Sequence, residues 1–439
     1  MSVHTSTEAI ILQPLPTLQF EQPPEPGPNA VSLQPIPPNG GVQAWLKVGG
    51  SFIIFMNTYG IASTYGAYQA YYQTDKLASV SPSTISWIGT TQVFLLGFTG
   101  IVAGPLYDGG YIRSLLSVGA FLVVFGFFML SLAAEYVHII LSQGICIGVG
   151  TGLLYVPGVS IVSNAFTTKR PIATGIAATG SAVGGVVFPI LFRHLEPRMG
   201  FPWVNRIFGF LVLATSVLAL LLLRPDPPAH RHRPRRRCDL LDASALSDVP
   251  YLFLCAGLFF VELGYWIPPF TVAPYAQLSL GKSADFAFYL LAYMNAGSLA
   301  GRILPALVAQ VRTIGPVWVL VVGCLSLGAL ILGWIGIWDA TGITVWGVMV
   351  GFMSGIAVAL PNAVVPRLVP LANVVGARTG MMWSFVAFAA LIGAPIAGML
   401  VDTAKNDYSR GQLFSGLSIC LGAVLLCIPA VHVARKKEE

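Results

Sequence analysis

The chain has 439 residues, of which 55% are hydrophobic and only 10% charged, with 47 glycines and a mean hydropathy of +0.75. A soluble domain carries about 25% Asp, Glu, Lys and Arg, so a water-facing fold is excluded for most of the chain and lipid must be its solvent. The formal net charge of +6 does not point to nucleic acid, because six basic residues are crowded between Arg224 and Arg237 and read as a loop at a membrane surface.

Residues 1–43 hold nine prolines, three glutamates and no Lys or Arg. They lack the basic and apolar regions of a secretory signal and are expected to form a disordered, Pro-rich cytosolic tail. Apolar runs long enough to span a bilayer, about 20 residues each, follow near 46–71, 85–106, 114–134, 137–160, 171–192 and 203–223. After the basic loop, expected to be cytosolic over 224–249, six more lie near 250–275, 286–309, 315–337, 341–364, 377–400 and 411–433, and residues 434–439 form a short tail. The expected fold is all-α and membrane-integral: twelve transmembrane helices in two pseudo-symmetric six-helix bundles, residues 44–223 and 250–433. The six cysteines, Cys146, Cys238, Cys255, Cys324, Cys420 and Cys427, form no C-x-x-C pair, so free thiols and neither metal site nor cofactor are expected.

Orientation follows from the basic residues, which are retained on the cytosolic side near span ends. Sixteen of the 24 Lys and Arg fall in the even-numbered loops and the tails, seven fall on the other side, and Arg302 lies inside a span. Both termini are therefore expected in the cytosol, with the plasma membrane as host and the protein acting as a monomer.

The halves also repeat each other. Gly144, Gly148 and Gly152 lead to Pro157 in the fourth span, and Gly347, Gly351 and Gly355 lead to Pro361 in the tenth. Thr174-Gly175 leads to Pro189-Ile190 in the fifth, and Thr379-Gly380 to Pro395-Ile396 in the eleventh. Such an ordered series argues for duplication with both copies in the same orientation, the parallel-repeat plan of secondary transporters. Glycines four apart give a helix a smooth face for close packing against another helix.

The stretch Gly104-Pro105-Leu106-Tyr107-Asp108-Gly109-Gly110-Tyr111-Ile112-Arg113, joining the second and third spans, resembles the G-x-x-x-D-x-x-G-x-R/K loop of the major facilitator superfamily. Gly104, Asp108 and Arg113 are the expected conformational latch, since an Asp and an Arg so placed suit charge-assisted contacts with helix ends. The matching stretch of the second half has Gln310 where that family usually has Asp. A closer resemblance is to the monocarboxylate porter branch, especially its fungal members. It is carried by Gly40 to Trp45, by Lys169-Arg170-Pro171 through Gly184-Gly185-Val186-Val187-Phe188-Pro189, by Ala300-Gly301-Arg302 and by Gly376-Ala377-Arg378-Thr379-Gly380-Met381 through Gly398. The resemblance implies a carrier, either an importer of short carboxylates or an exporter linked to a biosynthetic pathway.

Polar groups in mid-membrane mark the chemistry, because a charge there costs from about 2.5 to more than 10 kcal/mol. Glu262 lies mid-way along the seventh span, with Tyr265 and Trp266 on its face. Arg302 lies in the eighth, with Ser298 and Asn295 one and two turns earlier. In the porters the sequence resembles, an arginine on the eighth span pairs with the substrate carboxylate and with an aspartate one turn before it. Arg302 matches the arginine, whereas Ser298 stands at the aspartate position. One reading has Glu262 supply the missing acid and carry a coupled proton; another has Glu262 and Arg302 form a fixed ion pair between helices. In the first span, which also carries Asn57, Thr58, Tyr59, Ser63 and Thr64, Tyr65, Tyr68, Gln69 and Tyr72 make a polar-aromatic stripe suited to a planar ligand. Tyr155, Asn362, Trp383 and Ser384 are further candidates.

The expectation is thus a secondary transporter of a small organic anion or secondary metabolite, with the lipid bilayer, the metabolite and protons as partners. Arg302, Asn57, Tyr65, Asn295, Tyr155 and Asn362 would bind substrate and Glu262 would couple protons. The aromatic stripe and the lack of a mid-span lysine favour efflux over uptake of a short monocarboxylate. A transporter-like nutrient sensor is the alternative of another class. No Walker or G-x-S-x-G sequence supports ATP-driven pumping or hydrolysis, and no enzyme activity is expected.

Overall fold

The computed structural model describes residues 40–223, 242–311, 314–368, 374–400 and 407–435. Most of the expected tail, the basic loop up to residue 241, residues 436–439, and Arg312 and Lys405 of the orientation argument lie outside them. Among the described residues, nine helices are long and apolar enough to cross a membrane. One of these, Arg170–Leu222, is two spans: Gly200 has a left-handed φ of 76° between Pro197 and Pro202 and breaks the 53-residue run. Two further spans are the helical stretch 42–76, interrupted by turns of wider pitch, and Ala284–Val308.

In chain order the spans are α1 (42–76), α2 (Thr84–Asp108), α3 (Ile112–Leu132), α4 (Tyr136–Ala165), α5 (170–199), α6 (201–222), α7 (Val249–Leu278), α8 (Ala284–Val308), α9 (Gly315–Gly336), α10 (Ala340–Leu368), α11 (Val375–Leu400) and α12 (Ser409–Arg435). Local sequence explains several starts. Ser81, Asp248, Ser283 and Asp339 each accept a hydrogen bond from a backbone amide of the first turn, and Pro250 occupies an early helical position of α7 where no amide is needed.

The repeated glycines pack equivalent helix pairs. Gly148 and Gly152 of α4 lie against the backbone of α2 at Gln92, Leu95 and Leu96; Gly351 and Gly355 of α10 lie against the backbone of α8 at Met294 and Ser298. Between the halves, α2 runs along α11 and α5 along α8. Gly97, Gly100 and Gly104 of α2 meet Ala387, Gly380 and Gly376 of α11 in antiparallel order. On α5 and α8 the same order joins Gly175 to Ala306, Ala178 to Arg302, Gly185 to Asn295 and Arg193 to Asp285. The α5–α8 interface is therefore in contact from one end to the other, and the α2–α11 interface over Gly97 to Gly104.

A candidate central substrate site

Two turns of π-helix lie in α1, Met56–Gly60 at its middle and Tyr72–Lys76 at its end. Such turns change the direction of the side chains that follow and are frequent at functional sites. The first contains Tyr59, whose ring is 6% exposed and sits where the two halves meet. It lies 5.1 Å from Tyr155 of α4, 6.5 Å from Trp383 of α11, and nearly parallel to Trp266 of α7, at 6.2 Å and 18°. Tyr155 and Trp383 meet edge to face at 5.5 Å. Four rings from four helices, two from each half, thus close round one another.

Polar groups hold these rings in place. The Asn362 side-chain oxygen accepts a 3.0 Å hydrogen bond from the Trp383 indole, and its amide donates to the Tyr155 hydroxyl at 3.4 Å. Glu262 accepts a 2.9 Å bond from the Trp266 indole, one turn further along α7. Arg302 donates to the Ala178 carbonyl at 2.5 Å and to the Ser181 hydroxyl, both on α5. None of the ion pairs among the described residues joins Glu262 to Arg302. The fixed ion pair entertained from sequence is corrected accordingly: Glu262 and Arg302 each bond to neutral groups and not to one another.

Of the other expected ligand residues, Asn295 lies on the α5–α8 contact facing Gly185, with its amide donating to the Leu291 carbonyl. Asn57 turns towards α6 and donates to Thr215 at 2.9 Å and Ser216 at 3.2 Å. The tyrosine stripe is spent on packing. Tyr65 donates to the Ile85 carbonyl at 2.5 Å, Tyr68 to Asn205 at 2.7 Å and Tyr72 to Gln143 at 2.6 Å, all inside the first six helices. The stripe expected to receive a ligand is therefore an internal seam of that half, although Tyr65 also turns an edge towards Phe270 of α7 at 6.5 Å. Counting in steps of 3.6 residues passes over Tyr59, because the π turn breaks the period there.

The latch residues divide. Asp108 accepts hydrogen bonds from the amides of Gly376 at 3.2 Å and Ala377 at 2.7 Å, the first turn of α11, where unsatisfied donors and the helix dipole favour a carboxylate. Gly104 makes room by lying against the Gly376 carbonyl. Arg113 is exposed, so the carboxylate and not the arginine makes the cross-half contact.

Beside this contact is a cluster that sequence reasoning missed, having taken Arg378 as part of a stretch that carries the family resemblance and as one of the basic residues that set orientation. Arg378 donates to Asp242 at 2.8 Å, Asp248 at 2.6 Å and Ser244 at 3.1 Å, and its carbonyl accepts from the Tyr251 hydroxyl at 2.6 Å. Burial works against ionisation of Asp242, but the hydrogen bonds from Ser244 and Arg378 outweigh it and hold the carboxyl below its ordinary range. The signal available in the sequence was the pair of helix-capping aspartates just before α7. At the opposite end of the molecule Arg193 of α5 pairs with Asp285 of α8 and lies over the Phe288 ring, 4.9 Å from its centre.

Comparison with known proteins agrees with this architecture. Residues 48–390 match the model of the Major Facilitator Superfamily. The MFS-type transporter dbaD of Emericella nidulans is 34% identical over 89% of this chain and 86% of its own length. The agnestins efflux protein AgnL12 of Paecilomyces divaricatus is 34% identical over 99% and 98%. The crystal structure of the human organic anion transporter MFSD10 superposes with a TM-score of 0.67 at 14% identity, covering 88% of this chain and 98% of that one, a likeness of fold. With its family matched over most of its length and its twelve-span fold in place, the chain is a multi-pass membrane protein that belongs to the Major Facilitator Superfamily.

Proposed function

We propose that the protein is a secondary active carrier that exports an amphipathic organic anion, a secondary metabolite with a conjugated ring system, by alternating access. The observation that carries the reading is the cluster of Tyr59, Tyr155, Trp266 and Trp383, drawn from both halves. Aromatic faces bind flat apolar ligands with a favourable geometry, and a site shared by two bundles changes access when they rock. Arg302 recognises the carboxylate or enolate, Asn295 lies beside the path, and Tyr155 and Asn362 fix the ring wall. Glu262 carries the coupled proton and releases the Trp266 indole when it does so. Uptake of a short monocarboxylate asks for a compact, strongly basic site, which four aromatic rings do not make.

The four stretches that resemble the monocarboxylate porter branch support placing the chain in that branch. The efflux named for the agnestins relative supports the outward direction. The excess of basic residues at the ends bearing the α2–α3 and α6–α7 connections supports cytosolic termini, with the plasma membrane as host. The Asp108 contact is then the cytosolic closure and the Arg193–Asp285 pair the outer one. Inside-out vesicles containing the protein, given an acid interior, test the reading with labelled 2-naphthoate, an aromatic carboxylate. Saturable accumulation that collapses with the gradient and is lost in Glu262→Gln supports proton-linked export; gradient-independent movement unaffected by that substitution contradicts the coupling.

A further inference from the structure

Arg302 is 4% exposed, and its guanidinium reaches out of its own half for its partners. It donates to the Ala178 carbonyl and the Ser181 hydroxyl of α5. The ion pairs of the described residues give it no carboxylate. Its Nε is buried without a hydrogen-bond partner, and so is the hydroxyl of Ser298 one turn earlier on α8. A guanidinium is a planar fork of five donors matched to carboxylate oxygens. A buried charge held only by neutral groups is costly until a counter-charge arrives. The site is therefore built for an anion and is occupied by two weaker acceptors.

Where those acceptors sit matters as much as what they are. Contacts of α5 with α8 run from Gly175 and Ala306 at one end to Arg193 and Asp285 at the other, and the Arg302 bonds lie within that length. For a central site to open, the two helices must part at one end. Arg302 cannot follow α8 away from α5 while it holds Ala178 and Ser181.

We propose that Ser181, with the Ala178 carbonyl, is a clasp that keeps Arg302 on the opposite bundle while the site is empty, and that an anionic substrate group displaces it. Binding the anion and freeing α5 from α8 are then one event, and a neutral molecule of the same shape does not free them. The inference rests on the central-site reading above. Ser181 is a positioning residue, acting through Arg302 and not on the ligand, so its loss has a signature unlike that of a damaged site. Removing its hydroxyl takes away a competitor of the ligand and loosens the empty carrier.

The test uses full-length protein in liposomes, with 2-naphthoate and its neutral counterpart 2-naphthamide as probes. Ser181→Ala is expected to lower the KM for 2-naphthoate by about tenfold, the worth of one hydrogen bond to a charged group. Ser181→Thr, which keeps the hydroxyl, is expected to stay near wild type, and 2-naphthamide is carried poorly by all three. A second measurement needs no transport: maleimide labelling of Ala306→Cys, read by mass spectrometry without ligand, is expected to be faster when combined with Ser181→Ala. A KM that rises in Ser181→Ala, or a KM and a ligand-free labelling rate that both stay at the wild-type values, overturns the clasp. Should the wild-type protein carry no 2-naphthoate, the export reading fails, and the labelling rate alone decides the clasp.

Discussion

Trp266 and Tyr59 lie nearly face to face across the two bundles, with ring centres 6.2 Å apart and planes 18° off parallel. Trp266 also stacks on Phe270 at 5.8 Å and 23°, and Glu262 fixes its indole. The Trp266–Tyr59 contact joins the two bundles, and under the proposed alternating access a flat ligand replaces either ring against the other. Trp266→Ala is expected to raise the KM for 2-naphthoate by about tenfold, since an aromatic pair contributes roughly 0.5–1.5 kcal/mol beyond its area burial. Transport of a short aliphatic acid by the same variant should change far less, and parallel kinetics with the two acids check this.

Asp108 closes one end of the molecule by satisfying the amides of Gly376 and Ala377. Asp108→Ala leaves both without their acceptor at a helix start, a loss of about 1–3 kcal/mol. Hydrogen exchange at those two amides is expected to quicken by at least fivefold, with the population shifting towards the form open at that end. Unchanged exchange would mean that the α2–α11 contact rests on helix packing alone.

Close packing of α8 on α10 depends on glycines that a larger residue cannot replace. A Cβ at Gly301 would collide with the Phe352 carbonyl, and one at Gly351 with the Met294 carbonyl. Gly301→Val and Gly351→Val are each expected to destabilise the protein by about 1–3 kcal/mol through forced separation of the helices. Fluorescence-detected size exclusion after heating should show an earlier loss of the monodisperse peak. Gly333→Val, where nothing lies within contact distance, is the matched control.

The Arg378 cluster gives a pH dependence whose sign is fixed. Asp242 has its carboxyl held below the ordinary value, so its contribution is fully present above the unfolded value, about 3.9, and is lost as pH falls through the lower folded value. Wild-type protein in detergent is expected to lose more thermal stability than Asp242→Asn on acidification below about pH 4. Above that window the two should differ by a constant amount. A difference that persists unchanged into acid would show that the Arg378–Asp242 bond adds nothing.

Much of the architecture was legible because lipid imposes a simple rule: apolar runs of span length, with glycines in register between halves where helices pack. Glu262 and Arg302 stood out for the same reason, as charges where charges are costly. What the sequence did not reveal was direction. Whether Tyr65, Tyr68 and Tyr72 face a ligand or their own bundle depends on which helix lies opposite, and their hydroxyls found Ile85, Asn205 and Gln143. Tyr59 reached the centre by a π turn that periodicity does not report. The partners of Arg378 come from residues 130–136 positions away, a distance no local pattern spans.

The most direct test is counterflow in liposomes containing the purified protein, comparing labelled 2-naphthoate with lactate and pyruvate. Saturable exchange of the aromatic acid, weak exchange of the short acids, and loss of the aromatic preference in Tyr59→Ala are the predicted results. Exchange confined to lactate and pyruvate, untouched by Tyr59→Ala, would contradict a ring-lined export site and point to monocarboxylate uptake.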